Sequence, residues 1–90
     1  MHAVVTAVTI NNEDAGSARL RDEIVPQISS IPGFVAGYWV RLSGNKVVSI
    51  VAFESEDAAQ GMVNMIRERP AADDSVSLDS IEAGEVVANA

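Results

Sequence analysis

The apolar residues of this chain fall into two patterns with different periods. From His2 to Ile10 nearly every position is apolar or β-branched, with Val4, Val8 and Ile10 on one side of an extended strand and Ala3, Val5 and Ala7 on the other. Lys46 to Phe53 repeats the arrangement, with Val47, Val51 and Phe53 opposite Val48, Ile50 and Ala52. A sheet with one solvated face alternates apolar and polar residues, whereas near-continuous apolar runs mean that both faces are covered. Only two segments carry helical periodicity. Two helices cover one face of a four-stranded sheet, so the other face needs a second cover. In a short chain the economical candidate is another copy of itself.

The remaining elements follow in order. Asn11-Asn12-Glu13-Asp14 supplies acceptors for a helix start and negative charge for its first turn. The helix expected from about Asp14 to Ser30 draws one stripe through Leu20, Ile24, Ile28 and Ile31. Pro26 lies inside it and removes the bond to the Asp22 carbonyl, so the helix either bends there or ends near Val25; Pro32-Gly33 stops it in either case. Phe34 to Leu42 reads as the second strand, Ser43-Gly44-Asn45-Lys46 as a hairpin turn, and Val47 to Glu54 as the third strand. Ser55 caps a second helix with Ala59, Met62, Val63 and Ile66 on one face, ending at Pro70. An acidic loop follows over Ala71 to Ser75. A last strand then lies within Val76 to Val87, in its later part, broken by Gly84. Strand, helix, strand, strand, helix, strand is the split βαβ order of a ferredoxin-like α+β domain: a four-stranded antiparallel sheet with two helices on one face. Residues 1–90 make one such domain.

Composition sharpens the case for assembly. Ninety residues bury a modest fraction of their surface, and a small core is usually reinforced by disulfides, metal or oligomerisation. With no cysteine and a single histidine, disulfides and a structural zinc site drop out, leaving a homodimer. The formal charge is −7, and Arg19, Arg21, Arg67 and Arg69 are interleaved with acids, so nucleic acid and anionic membranes are not expected partners. No apolar run approaches the roughly 20 residues that span a bilayer. Met1-His2-Ala3 lacks the basic start of a signal peptide, and the expectation is a cytoplasmic protein.

Ile31-Pro32-Gly33-Phe34 leading into Tyr38-Trp39, the run Val47-Val48-Ser49-Ile50-Val51-Ala52-Phe53-Glu54, and the closing Glu82-Ala83-Gly84-Glu85-Val86-Val87 resemble the dimeric α/β-barrel superfamily. Within it the chain is most similar to small uncharacterised proteins related to the antibiotic-biosynthesis monooxygenases. The resemblance covers nearly the whole chain. It implies two subunits packed on their helix-free faces and a ligand cleft between helices and sheet in each. It also implies either cofactor-free oxygenation of a phenolic, polyketide-like molecule or a relative with no reaction. Haem-degrading members use an asparagine in the first strand, with a tryptophan and a histidine around the second helix. Here the first strand has no asparagine before Asn11, and Ser55 to Pro70 has neither Trp nor His, so no cofactor is expected.

Few residues offer chemistry. His2 reads as a terminal residue rather than a proton shuttle, since a catalytic base needs a positioned partner. Tyr38 and Trp39 point to opposite faces of their strand. The all-apolar face of Phe34, Ala36, Tyr38, Val40 and Leu42 is assigned to the helices, and that of Val35, Gly37, Trp39 and Arg41 to the dimer. On that assignment Tyr38, Met62 and Asn64 are the candidate ligand contacts. Trp39, Arg41, Val48 and Ile50 are the candidate dimer interface, with Arg41 available for an ion pair to Glu54 or Glu85 across it. Glu82 and Glu85 are three apart in a strand and face opposite sides, so they form no catalytic carboxylate pair. There is no nucleophile motif, no phosphate loop and no metal cluster. Two readings stand: a cofactor-free monooxygenase for a small aromatic molecule, and a non-catalytic ligand-binding or scaffold homodimer.

Overall fold

The computed structural model describes residues 1–68 and 75–90. The expected helix stop at Pro70 and most of the acidic loop lie outside them. In chain order the elements are β1 (His2–Ile10), α1 (Glu13–Arg19), a π-helical turn (Leu20–Ile24), α2 (Val25–Ser29), β2 (Phe34–Arg41), β3 (Lys46–Phe53), α3 (Glu56–Glu68) and β4 (Val76–Glu85). The strands form one antiparallel sheet in the order β2-β3-β1-β4, which is the ferredoxin-like arrangement.

Local chemistry explains the boundaries. The Asn12 side chain accepts the Ala15 N–H at 3.0 Å, and Ser55 Oγ accepts the Ala58 N–H at 3.2 Å, so α1 and α3 begin on capped turns. Gly33 and Gly44 hold φ of 91° and 73°, which reverses the chain before β2 and in the β2–β3 hairpin. Pro26 neither ends the first helix nor sits in a regular one. The Val25 N–H bonds the Leu20 carbonyl five residues back, and the helix resumes its ordinary pitch through Pro26 to Ser29. The wide turn falls just ahead of the residue that has no N–H to give.

The helices cover one face of the sheet. Val4, Val51 and Phe53 meet Ile28 of α2 and Ala59, Met62 and Val63 of α3 in a buried cluster. Phe34 closes one end, edge-on to Phe53 with centroids 6.2 Å apart. The other face is left open, and three rows run across it: Gly84–Ala3–Ala52–Ala36, Glu82–Val5–Ile50–Tyr38, and Ser80–Ala7–Val48–Val40. Val5, Ile50, Val40 and Tyr38 are exposed there, Tyr38 by 68%.

Three sequence expectations are corrected. Tyr38 faces away from the helices and Trp39 toward them, the reverse of the assignment made from regular alternation. The cause is a bulge at Val35. Phe34 pairs with Phe53, and the next partnership is Ala36 with Ala52, so one extra residue moves Ala36, Tyr38 and Val40 to the open face. Arg41 likewise lies on the helix side: its guanidinium donates to the Glu13 carboxylate at 2.7 and 3.0 Å and to Ser17 Oγ at 3.3 Å. Within the chain its partners are Glu13 and Ser17. Finally, β4 begins at Val76 and runs unbroken through Gly84, with its irregularity at Asp79 instead. That carboxylate accepts from Thr9 Oγ1 at 2.7 Å and lies 3.9 Å from Lys46 Nζ.

Helix α1 approaches the sheet through Gly16. A Cβ there would lie 2.6 Å from Ile10 Cγ2 and 2.9 Å from the Ser75 carbonyl, which the Asn11 N–H already fixes at 2.8 Å. Gly16→Ala gains up to about 1 kcal/mol of helix propensity but incurs about 1–3 kcal/mol of overpacking, so a net loss of stability is expected. Gly61→Ala, where an added Cβ meets nothing within 4 Å, should raise stability by up to about 1 kcal/mol. Urea midpoints at unchanged slope check the opposite signs.

Candidate functional site: the cleft between helices and sheet

One row on the helix side of the sheet differs from its neighbours. Trp39, Ser49, Thr6 and Ile81 follow one another across β2, β3, β1 and β4. The rows around it are built from Val4, Val51, Val8 and Val47. Thr6 and Ser49 are nearly fully buried, 6% and 2% exposed, and their hydroxyls are hydrogen-bonded to each other. Trp39 lies back along its strand. A Cβ on Gly37 would be 2.9 Å from the far ring carbons, so the missing side chain is what leaves room for the indole over Gly37.

Above this row is a cavity of about 190 Å³. Its roof is Leu20 and Ile24 of the π-helical turn, Ile28 of α2, and Met62 and Ile66 of α3; Val8, Val76 and Leu78 close the β1–β4 side. Arg19 contributes the one charged side chain among the described wall residues. It is 13% exposed, with Nε 3.7 Å from the Glu23 carboxylate. Leu20, Trp39 and Val47 also line a second, outer groove of about 290 Å³, whose rim carries Ser17, Arg21 and Arg41. The cavity is concave and mostly apolar, with a few polar groups in its wall.

The predicted contacts fare differently. Met62 is in the cavity roof. Asn64 is exposed on α3, where its Oδ1 accepts from Gln60 Nε2 at 3.1 Å. Tyr38 lies on the far side of the sheet. Val48 and Ile50 are on the open face, Trp39 and Arg41 on the helix face. His2 sits at the end of β1, outside the cavity wall, with Nε2 4.0 Å from the Glu56 carboxylate and a buried Nδ1 that has no partner among the described residues. Thr6, Ser49, Arg19 and the π-helical turn escaped the sequence reading. A signal for two of them was present: Thr6 and Ser49 are the single polar residues in the series Val4-Thr6-Val8-Ile10 and Val47-Ser49-Val51-Phe53.

No family model matches the chain, and no curated protein does. Solved structures do match. HapK from Hahella chejuensis superposes with a TM-score of 0.71 at 12% identity, over 100% of this chain and 96% of its own. The haem degrader MhuD from Mycobacterium tuberculosis, with two haems in its active site, gives 0.64 at 17% over 100% and 99%. SnoaB, a cofactor-independent oxygenase from Streptomyces nogalater, gives 0.59 at 18% over 99% and 93%. The fold is that of the ferredoxin-like dimeric α/β-barrel proteins. Identities this low establish a fold and leave the chemistry to be argued from the site.

Haem iron is held by His, Cys, Met or Tyr. Among the described wall residues only Met62 qualifies, and it is fully buried in the core cluster. The wall does not fit haem. Nor do the described residues hold any group of three His, Asp or Glu side chains able to bind a metal ion. Among the described residues no helix is long and apolar enough to cross a membrane.

The single tryptophan makes the wall easy to interrogate. Gly37→Ala should lift the indole off the sheet, giving a red-shifted emission maximum and a lower thermal midpoint. An unshifted emission would contradict the position of the ring.

Proposed function

We propose that this chain is a homodimeric cytoplasmic protein that binds a small, flat, largely apolar aromatic molecule against Trp39, and that it acts there as a cofactor-independent monooxygenase. The observation carrying this reading is the combination, in one cavity, of an aromatic plate, a buried hydroxyl pair and an apolar roof. SnoaB adds a precedent for the chemistry on this fold. In such a reaction an activated methylene flanked by aryl rings, ionised to its electron-rich anion, gives its electrons to dioxygen. The methylene becomes a carbonyl, and one oxygen atom leaves as water. The protein's part is orientation and exclusion of solvent, with the Arg19 charge near the wall favouring the anion.

The second reading is a ligand-binding or scaffold homodimer without catalysis. It is favoured by the absence of any carboxylate or imidazole among the described wall residues, which leaves no side-chain base to take the substrate proton.

Oxygen consumption with a panel of anthrone-like phenols separates the two. The oxygenase reading expects turnover by the wild type and a fall of about 10- to 100-fold in kcat/KM for Trp39→Leu. Binding without turnover across the panel would leave the non-catalytic reading.

The homodimer rests on the open face. Rows of Val5, Ile50, Tyr38, Val40 and Val48 form a contiguous apolar surface of the kind that marks an interaction site. Ile50→Glu places a charge at its centre and should give a monomer, or a chain with a markedly lower melting temperature, in sedimentation and thermal scans. A fully dimeric and stable Ile50→Glu variant would remove that face as the interface.

A further inference from the structure

Thr6 and Ser49 occupy positions that the core could fill with valine and alanine. Instead they bring two hydroxyls into the sheet's helix-covered side. Each hydroxyl carries one O–H and two acceptor lone pairs. The bond between them uses one O–H. Each hydroxyl thus has a partner, and the pair keeps one further O–H to offer, with both side chains more than nine-tenths buried. A buried donor without an acceptor is costly, and native interiors avoid it unless something else supplies the acceptor. The space beside this pair is the cavity, which both residues line, and Trp39 is the next residue in the same cross-strand row. The spare O–H is open to an acceptor in that cavity, supplied by water or by a bound molecule.

We propose that the Thr6–Ser49 pair is the specificity-determining polar element of the cleft, donating its spare O–H to a carbonyl oxygen of the aromatic ligand. The site then takes aromatic ketones in preference to hydrocarbons of the same shape. This rests on the cleft being a small-molecule site, and it adds which functional group is read and by which atoms. For an oxygenase, that bond fixes the ring system in one orientation, because a flat molecule held only by apolar contacts could turn over in the cavity.

The test compares fluorenone with fluorene, which differ by one carbonyl. Binding is measured by quenching of Trp39 or by calorimetry, for the wild type and the double variant Thr6→Val/Ser49→Ala. Removing both hydroxyls together leaves no stranded partner, so the variant should fold with a thermal midpoint at or near the wild type's. The ratio of fluorenone to fluorene affinity should fall by about 2- to 10-fold in the variant, the size of one net hydrogen bond, while fluorene affinity holds or rises. The carbonyl stretch of bound fluorenone should lie at lower frequency in the wild type than in the variant. An unchanged ratio with an unchanged stretch would overturn the proposal and mean that water already satisfies the pair. If neither compound binds the wild type, the small-aromatic reading of the cleft fails as well, so the two failures are distinguishable.

Discussion

The pairing of β1 with β3 at the centre of the sheet sets the position of almost everything else. In the observed register Thr6 stands opposite Ser49 and Val5 opposite Ile50. The first pair faces the helices and the second the open side. Because side chains alternate with a period of two, a slip of one residue would send the hydroxyls and the large aliphatics each to the wrong face. The register is held by burial: Val4, Val51 and Phe53 are completely enclosed under α2 and α3, and no shifted pairing would bury all three. A single alignment of two strands thus builds the floor of the cleft and the apolar outer surface together.

The edge strands depart from this regularity, and each departure has a consequence at the site. At Val35 the extra residue in β2 turns Gly37 and Trp39 inward, with Gly37 leaving the room that the indole occupies. At Asp79 the bulge in β4 keeps Leu78 and Val76 facing the cavity while the carboxylate is taken up by Thr9. The π-helical turn does the same for the roof. It brings Leu20 and Ile24 over the row of Trp39, Ser49 and Thr6, and it absorbs Pro26 without ending the helix. Bulges and π turns are local insertions that re-aim side chains, and they recur where a fold makes room for a ligand.

These departures also mark where the sequence was legible and where it was not. The element order, both helices and the two-sided inner strands follow from periods of 3.6 and 2, and the structure has them all. Regular alternation puts Tyr38 and Trp39 on the wrong faces because a bulge leaves no mark in a run such as Phe34-Val35-Ala36-Gly37, and because the open face is itself apolar. An all-apolar strand side therefore did not identify the core. The cleft was harder still. Met62 reaches the cavity wall because it lies on the apolar stripe of its helix, while Asn64 is on the surface. Thr6 and Ser49 each look like ordinary β-formers in isolation. Their meaning appears only when the strand register sets them side by side.

The composition of the cavity wall constrains what kind of catalyst this could be. Among the described residues it offers hydroxyls, one guanidinium and apolar side chains, so a reaction here would draw its electrons and its acidic proton from the substrate. That does not make catalysis weak in principle: fixing two reactants in a productive geometry supplies about 7–11 kcal/mol of a barrier without any acid or base. It does shift the burden onto orientation. In a cavity of about 190 Å³, van der Waals contact alone leaves a flat molecule free to flip, whereas one directional bond from the floor beside Trp39 would remove that freedom. The buried hydroxyl pair is the polar group in the floor of the cavity, and it is there that a directional bond to a bound molecule would be made.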